Sequence, residues 1–224
     1  WAPDAACRRI TDDGALTAVR AKYGLDAEGR WVLAFGGADP RKNTSGLLDA
    51  WAAIDRPVRA GWSLLVVGLG PEDRQRFERR TVALDIAGRC RLEGFADEAD
   101  LPFPDLSIDR VLLIHALEIT GQVQPMMREI WRVLSGSGRL LVVAPNRRGI
   151  WARLDRTPFG YGQPYSSGQL SRLLRETMFT PVKAHAALFA PPSRSRMVLA
   201  SARAWEGLGQ RGIAPFAGVV MIEA

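Results

Sequence analysis

The stretch Glu93–Glu118, EGFADEADLPFPDLSIDRVLLIHALE, decides the fold. Leu101-Pro102-Phe103-Pro104-Asp105 is a turn, because two prolines fix φ and withhold backbone N–H groups. Asp109 then opens an apolar run, Val111–Ile114, that ends in His115. A short apolar run between turn signals suits a strand buried on both faces of a parallel sheet. His115, Ala116, Leu117 and Glu118 then sit at that strand's carboxyl end, where open α/β sheets carry their ligand site.

Three more strands are expected upstream: Trp31–Phe35 closed by Gly36-Gly37, Trp62–Val67 ending in Gly68-Leu69-Gly70, and Cys90–Phe95. Between them lie a helix over Ala15–Lys22 capped by Asp12 or Asp13, and a second capped by Thr44 or Ser45 and running to Ile54. Arg56–Gly61 is a connector, and Pro71 opens a long charged helix to about Ala87. Downstream, Pro125–Leu134 is a helix with apolar residues at Met126, Met127, Ile130, Val133 and Leu134, and Arg139–Ala144 is the fifth strand. Arg147–Pro164 reads as a long loop, Ser166 or Ser167 as the cap of a helix reaching Met178, and Val182–Phe189 as the sixth strand. Arg196–Trp205 fits either strand or helix, and Gly218–Glu223 is the last strand. Strands alternating with helices predict an α/β, Rossmann-like, doubly wound and mostly parallel sheet with helices on both faces. No linker divides it, so residues 1–224 read as a single composite domain.

Composition narrows the function. The 224 residues are 47% hydrophobic and 24% charged, which calls for a packed core. The net charge of +6 comes from scattered arginines. Without a basic stripe interleaved with aromatics, nucleic acid is not an expected partner. No apolar run reaches the roughly 18–20 residues of a membrane span. Cys7 and Cys90 have no metal-site spacing, so no metal is expected. No secretory signal is seen, so a reduced, cytoplasmic setting follows. The expected partner is a small-molecule ligand. Arg147, Arg148, Arg153 and Arg156 would either recognise an acidic substrate or form a solvated basic loop.

Residues 101–224 resemble class I S-adenosylmethionine-dependent methyltransferases of the type-11 kind. The resemblance rests on LPFPDLSIDRVLLIHALE (101–118), REIWRVLSGSGRLLVVAPN (128–146), RGIWARLDRTPFGYGQPYS (149–166) and GVVMIEA (218–224). It implies S-adenosylmethionine as cofactor, with contacts from Leu101, Phe103 and His115 and with Glu118 nearby. In that family a glycine-rich loop after the first strand lets the backbone approach the donor, and an acid after the second strand takes the ribose hydroxyls. Gly36-Gly37 does not reproduce the family's acid-x-Gly-x-Gly spacing.

Residues 13–100 instead resemble the nucleotide-sugar-binding half of a family-4 glycosyltransferase, through VRAKYGLDAEGRWVLAFGGADPRKNTSGLLDAW (19–51), WSLLVVGLGP (62–71) and RCRLEGFADEADL (89–101). Lys42 matches that family's phosphate lysine and stands beside a helix start, where N–H groups and the dipole favour anions. The family's arginine falls on Gly36 here. The two resemblances meet at Ala99–Pro102, as in a chimera. Together they imply a seven-stranded sheet in the order 3-2-1-4-5-7-6, with the strand at 31–35 directly beside that at 109–115. A ligand is then expected in the crevice between Phe35-Gly36-Gly37 and His115-Ala116. Gly36, Gly37, Leu101, Phe103 and Ala116 are the expected donor contacts and His115 is the candidate catalytic residue. His115 reads equally as a structural histidine at a sheet edge.

Three functions stay open. One is a methyltransferase-like protein. The second is a nucleotide-sugar binder that uses Lys42. The third is a recombined fold that catalyses nothing.

Overall fold

The computed structural model describes residues 14, 17, 21, 29–95, 97, 100–153, 162–191, 195, 197, 200–209 and 216–224. Among these residues one sheet runs in the order β3-β2-β1-β4-β5-β7-β6. Its strands are β1 (Arg30–Phe35), β2 (Trp62–Val67), β3 (Cys90–Leu92), β4 (Ile108–Ile114), β5 (Leu134–Pro145), β6 (Lys183–Ala187) and β7 (Val219–Glu223). The pairs β3-β2, β2-β1 and β1-β4 are parallel, while β7 runs antiparallel to β5 and β6. The expected strand order holds, including β1 beside β4. By contacts the chain divides into two compact units, Trp1–Leu112 with Gln122–Arg139, and Leu113–Gly121 with Leu140–Ala224.

In the first unit, β1 and β2 are apolar at successive positions because each is covered on both faces. Leu33 is registered with Leu65 on one side and Val111 on the other, and all three are fully buried or nearly so. Asp109 acts between strands: its Oδ2 accepts from Trp31 N at 2.8 Å and so joins the start of β1 to β4. The guanidinium carbons of Arg30 and Arg110 lie 4.4 and 5.4 Å from the Trp62 ring centroid, at cation–π distance.

Helix α1 (Thr44–Ala53) is capped by Asn43, one residue before the expected Thr44 or Ser45. Asn43 closes the preceding 3-10 turn, Pro40–Lys42, in the left-handed conformation (φ 46°). A short Asn side chain tolerates that conformation and a β-branched Thr does not. Its Oδ1 accepts from Gly46 N. The expected connector holds a short helix, α2 (Arg56–Arg59). Helix α3 (Pro71–Ala83) has Pro71 in its first turn, as expected, and stops short of Ala87.

Strand β3 is shorter than the expected Cys90–Phe95. The carbonyls of Glu93 and Gly94 accept from Leu69 N and Gly68 N, which lie beyond the end of β2, and Phe95 is 88% exposed. Helix α4 (Val123–Val133) buries Met126, Met127, Ile130 and Val133 on one stripe, as their spacing predicts. It starts before Pro125, because a proline within the first turn breaks no helical hydrogen bond. Strand β5 begins at Leu134, five residues before the expected Arg139. Ser135-Gly136-Ser137-Gly138 looks like a turn by residue type, yet its backbone is already extended. Gly14, Thr17 and Ala21 of the expected first helix are helical. Its caps, Asp12 or Asp13, lie outside the described residues.

In the second unit, helix α5 (Ser167–Glu176) carries a full capping box between Ser166 and Gln169. Strand β6 is trimmed at both ends relative to Val182–Phe189. The ambiguous 196–205 stretch leads into a helix, α6 (Ala202–Gly209). Trp151 anchors its loop: Nε1 donates to Phe216 O at 2.8 Å and the two rings meet edge to face. Among the described residues, no helix is long and apolar enough to cross a membrane.

Candidate functional site

Strand β4 ends abruptly. His115 takes a left-handed conformation, φ 49°, and turns the chain out of the sheet. Such a conformation is uncommon for a residue with a side chain and costs about 1–3 kcal/mol, so the surroundings must enforce it. They do: His115 N donates to Val143 O on β5 at 3.0 Å, and Ala116 and Leu117 are buried. The turn brings residues 115 and 118 onto one side. His115 Nδ1 lies 2.6 Å from Glu118 Oε1, with the two side chains 7% and 0% exposed. Glu118 Oε2 is buried and has no hydrogen-bond partner among the described residues. An orphaned buried carboxylate oxygen costs about 1–3 kcal/mol or more, which singles this dyad out as the candidate site.

The segment Gly162–Ser166 straps over the same strand ends. Gln163 N donates to Glu118 O at 2.9 Å. Tyr165 N donates to Pro145 O and Arg147 N donates to Tyr165 O, both at 3.0 Å, so the strap also grips the end of β5. Asn146 is buried there, donating to Ala217 O and accepting from Arg148 N. Burial, followed by the charge of Glu118, pushes the Tyr165 phenol above its ordinary range. A cleft of about 380 Å³ opens beside the strap, lined by Arg147, Gly162, Gln163, Pro164, Tyr165 and Gln169. The lining carries one guanidinium, one phenol and two amides, groups suited to orienting a polar small molecule.

In the first unit, β1 ends in the glycine pair. A Cβ on Gly36 would stand 2.7 Å from Val66 Cγ1 and 2.9 Å from Leu69 Cδ2. Gly37 (φ 146°) and Gly68 (φ 88°) face each other across bare backbone, with Gly68 O 3.6 Å from where a Gly37 Cβ would be. That close approach explains why no acid stands at the end of β2: position 68 needs a conformation that side chains resist. Lys42 Nζ donates to Gly36 O at 3.1 Å, so the amine braces the glycine loop. Beside it, hydrogen bonds from Arg41 hold the Asp39 carboxyl below the usual carboxylate range against the opposing effect of burial.

The loop Leu101–Asp105 is held by Arg132 of α4. Its Nη2 donates to Leu101 O and Glu129 Oε2, and its Nη1 to Phe103 O and Asp105 Oδ1, at 2.7–2.9 Å. Burial works to lower the Arg132 pKa, and Glu129 and Asp105 together overcome it and raise it. Leu101 and Phe103 themselves are buried.

The structure thus pairs His115 with a carboxylate that the sequence marked only as a neighbour. Gly36, Gly37 and Lys42 stand together, and Leu101 and Phe103 share one clamped loop. Arg132, Gly162 and Tyr165 went unread, because nothing local distinguishes a buried clamp from a solvated arginine or a strap from a loop. Of the predicted arginine cluster, Arg147 lines the cleft; the side chains of Arg153 and Arg156 lie outside the described residues. Among the described residues, no His/Cys/Asp/Glu group could hold a metal ion.

The methyltransferase-domain family matches residues 59–142. The matched range includes Ala99–Pro102. A demethylmenaquinone methyltransferase of Tropheryma whipplei (strain Twist) is 34% identical over 101 residues, which is 38% of this chain and 42% of that protein. The chain therefore spans well under half the length of the curated relatives it matches there. Two solved structures align with 94% of the chain. Geranyl diphosphate C-methyltransferase from Streptomyces coelicolor A3(2) is 14% identical, with 74% of its chain covered and a TM-score of 0.59. The [4+2]-cyclase SpnF is 19% identical, with 79% covered and a TM-score of 0.59. At these identities the likeness is one of fold. The chain has the class I S-adenosylmethionine-dependent methyltransferase fold and carries a methyltransferase-domain match within it.

Proposed function

We propose that this chain transfers a methyl group from S-adenosylmethionine to a small molecule. The observation that carries the proposal is the methyltransferase-domain match over 59–142, which coincides with β2 through most of β5 of a sheet in the expected order. The residues present fit the donor in a particular way. The carboxyl end of β1 offers the bare backbone of Gly36-Gly37, and the Arg132 clamp holds the loop carrying Leu101 and Phe103. With glycine at 68, the donor is held through backbone and apolar contacts and not by a ribose carboxylate. In the second unit His115, beside the buried Ala116, is the catalytic candidate. A sulfonium donor already carries a reactive methyl group, so the protein has to position and desolvate the reactants. The Arg147–Tyr165 cleft is the acceptor's place.

Titration calorimetry with S-adenosylmethionine and its demethylated product tests this directly. Saturable heat is expected, weakened by Gly37→Val. No heat at high micromolar protein would overturn the reading.

Lys42 motivates a second reading, nucleotide-sugar binding. Its amine is committed to Gly36 O, and the methyltransferase match begins at residue 59, inside the glycosyltransferase-like half. Both observations favour methyl transfer. Thermal protection by a nucleoside diphosphate that Lys42→Ala abolishes would reverse that preference.

A further inference from the structure

We propose that Glu118 is a positioning residue that holds His115 as a proton acceptor, and that the methyl acceptor is therefore a molecule with an ionisable O–H or N–H. The second half rests on the methyl-transfer reading; the first does not. His115 Nδ1 and Glu118 Oε1 are 2.6 Å apart; a carboxylate only accepts hydrogen bonds, so in the proposed arrangement the ring proton sits on Nδ1. The other ring nitrogen, Nε2, is left with its lone pair, because the tautomer follows from the partner of the opposite nitrogen. Nε2 has no hydrogen-bond partner among the described residues. The small part of the His115 side chain that meets solvent contrasts with the wholly enclosed Glu118. This is the arrangement of a general base and its orienting group.

Among the described residues of the strap and its cleft, none competes for the role. The phenol of Tyr165 is pushed toward its protonated form, and Arg147 of the cleft is a permanent cation. The strained backbone at 115 and the strap over Glu118 O hold the pair in one geometry. In the step, the acceptor's oxygen or nitrogen bonds to the methyl carbon of a sulfonium donor. The C–S bond breaks with its electron pair left on sulfur, which becomes a neutral thioether. The acceptor's proton passes to His115 Nε2, and Glu118 stabilises the imidazolium through Nδ1–H. Acceptors that enter already ionised have no use for the dyad.

Two measurements test this. The chain has two histidines, so long-range proton–nitrogen NMR with a His185→Asn reference assigns the His115 ring. The Nδ1–H tautomer is expected in the wild type and a mixture of tautomers in Glu118→Gln, whose amide donates as well as accepts. An Nε2–H ring in the wild type, or an unchanged ring in the variant, would overturn the positioning role. The second probe is 4-nitrophenol, whose phenolate absorbs visibly. At a pH where the free probe is protonated, the wild type should bind it as phenolate. That band should vanish in Glu118→Gln and in His115→Asn, whose Asn tolerates the left-handed backbone. No phenolate band in the wild type, or equal bands in all three proteins, would sink the proton-acceptor role. Calorimetry of the donor separates the outcomes: donor binding without ionisation refutes this proposal alone, and ionisation without donor binding refutes only methyl transfer.

Discussion

Gly162 lies so close to Glu118 that a Cβ at 162 would stand 2.4 Å from the Glu118 carbonyl oxygen. Its φ of 81° is a conformation that side chains resist in any case. Gly162→Ala therefore has to lift the strap from the β4 turn and break the bond from Gln163 N. A loss of about 1–3 kcal/mol is expected, read as a fall of about 2–4 °C in Tm per kcal/mol. An unchanged melting curve would mean that the strap does not need glycine.

Arg132→Met tests the clamp. The substitution keeps the aliphatic stem and removes the cation between Asp105, whose side chain is 4% exposed, and Glu129. Leaving buried carboxylates unpaired costs about 3–5 kcal/mol. Urea unfolding should show that loss, and Arg132→Met with Asp105→Asn should recover part of it. A loss below about 1 kcal/mol would mark the pair as the surface kind.

Tyr165 gives the alkaline side of the pH profile. Its phenol titrates above its unfolded value, so the folded state holds its proton longer. The stabilisation is complete below about pH 10 and disappears as pH rises through the folded value. Urea midpoints for the wild type should fall faster than those of Tyr165→Phe as pH rises above about 10. Glu118→Gln should move the 295 nm phenolate titration part of the way back, since burial remains. Parallel curves for wild type and Tyr165→Phe would contradict the shift.

Cys90 should be chemically silent. Burial against the first unit's core pushes its thiol up to about 12, and the thiolate is the reactive form. In a Cys7→Ser background, iodoacetamide at pH 8 should leave the native protein unmodified and label it fully in denaturant. Labelling at equal rates in both conditions would refute this burial.

β1, β2 and β4 were legible as interior strands because they are apolar at successive positions, a pattern that suits two-sided burial, while the full strand order came from the two resemblances. Trp62–Val67 matches residue for residue, since Gly61 and Gly68 bracket it. Boundaries were harder where residue type and backbone disagree. The Ser-Gly-Ser-Gly stretch at 135–138 is strand although its composition reads as turn. Asn43 caps α1 because the turn before it must end left-handed, which the preference for Ser or Thr does not contain. His115 was found through its place at a strand end. Glu118 became its partner only once the turn at 115 had a conformation. Arg132 depends on a loop thirty residues upstream folding beneath it, and Gly162 on a carbonyl that local sequence does not name. The methyltransferase match across Ala99–Pro102 likewise comes from comparison, since both halves carry nucleotide-binding patterns.

Strand β7 sits between β5 and β6, and among the described residues β6 has no other neighbour in the sheet. On the ribosome, β6 emerges well before the strand that must seat it. Until Val219–Glu223 follows, β5 keeps a bare edge and β6 has no partner. Unpaired edges of this kind invite pairing with other chains. The second unit therefore cannot be completed in the order in which it is made. Its slowest step should be the insertion of β7, a closure that brings Leu141 opposite Glu223 across most of that unit's sequence. Nascent chains stopped before residue 219 should depend on chaperones far more than chains that include Val219–Glu223.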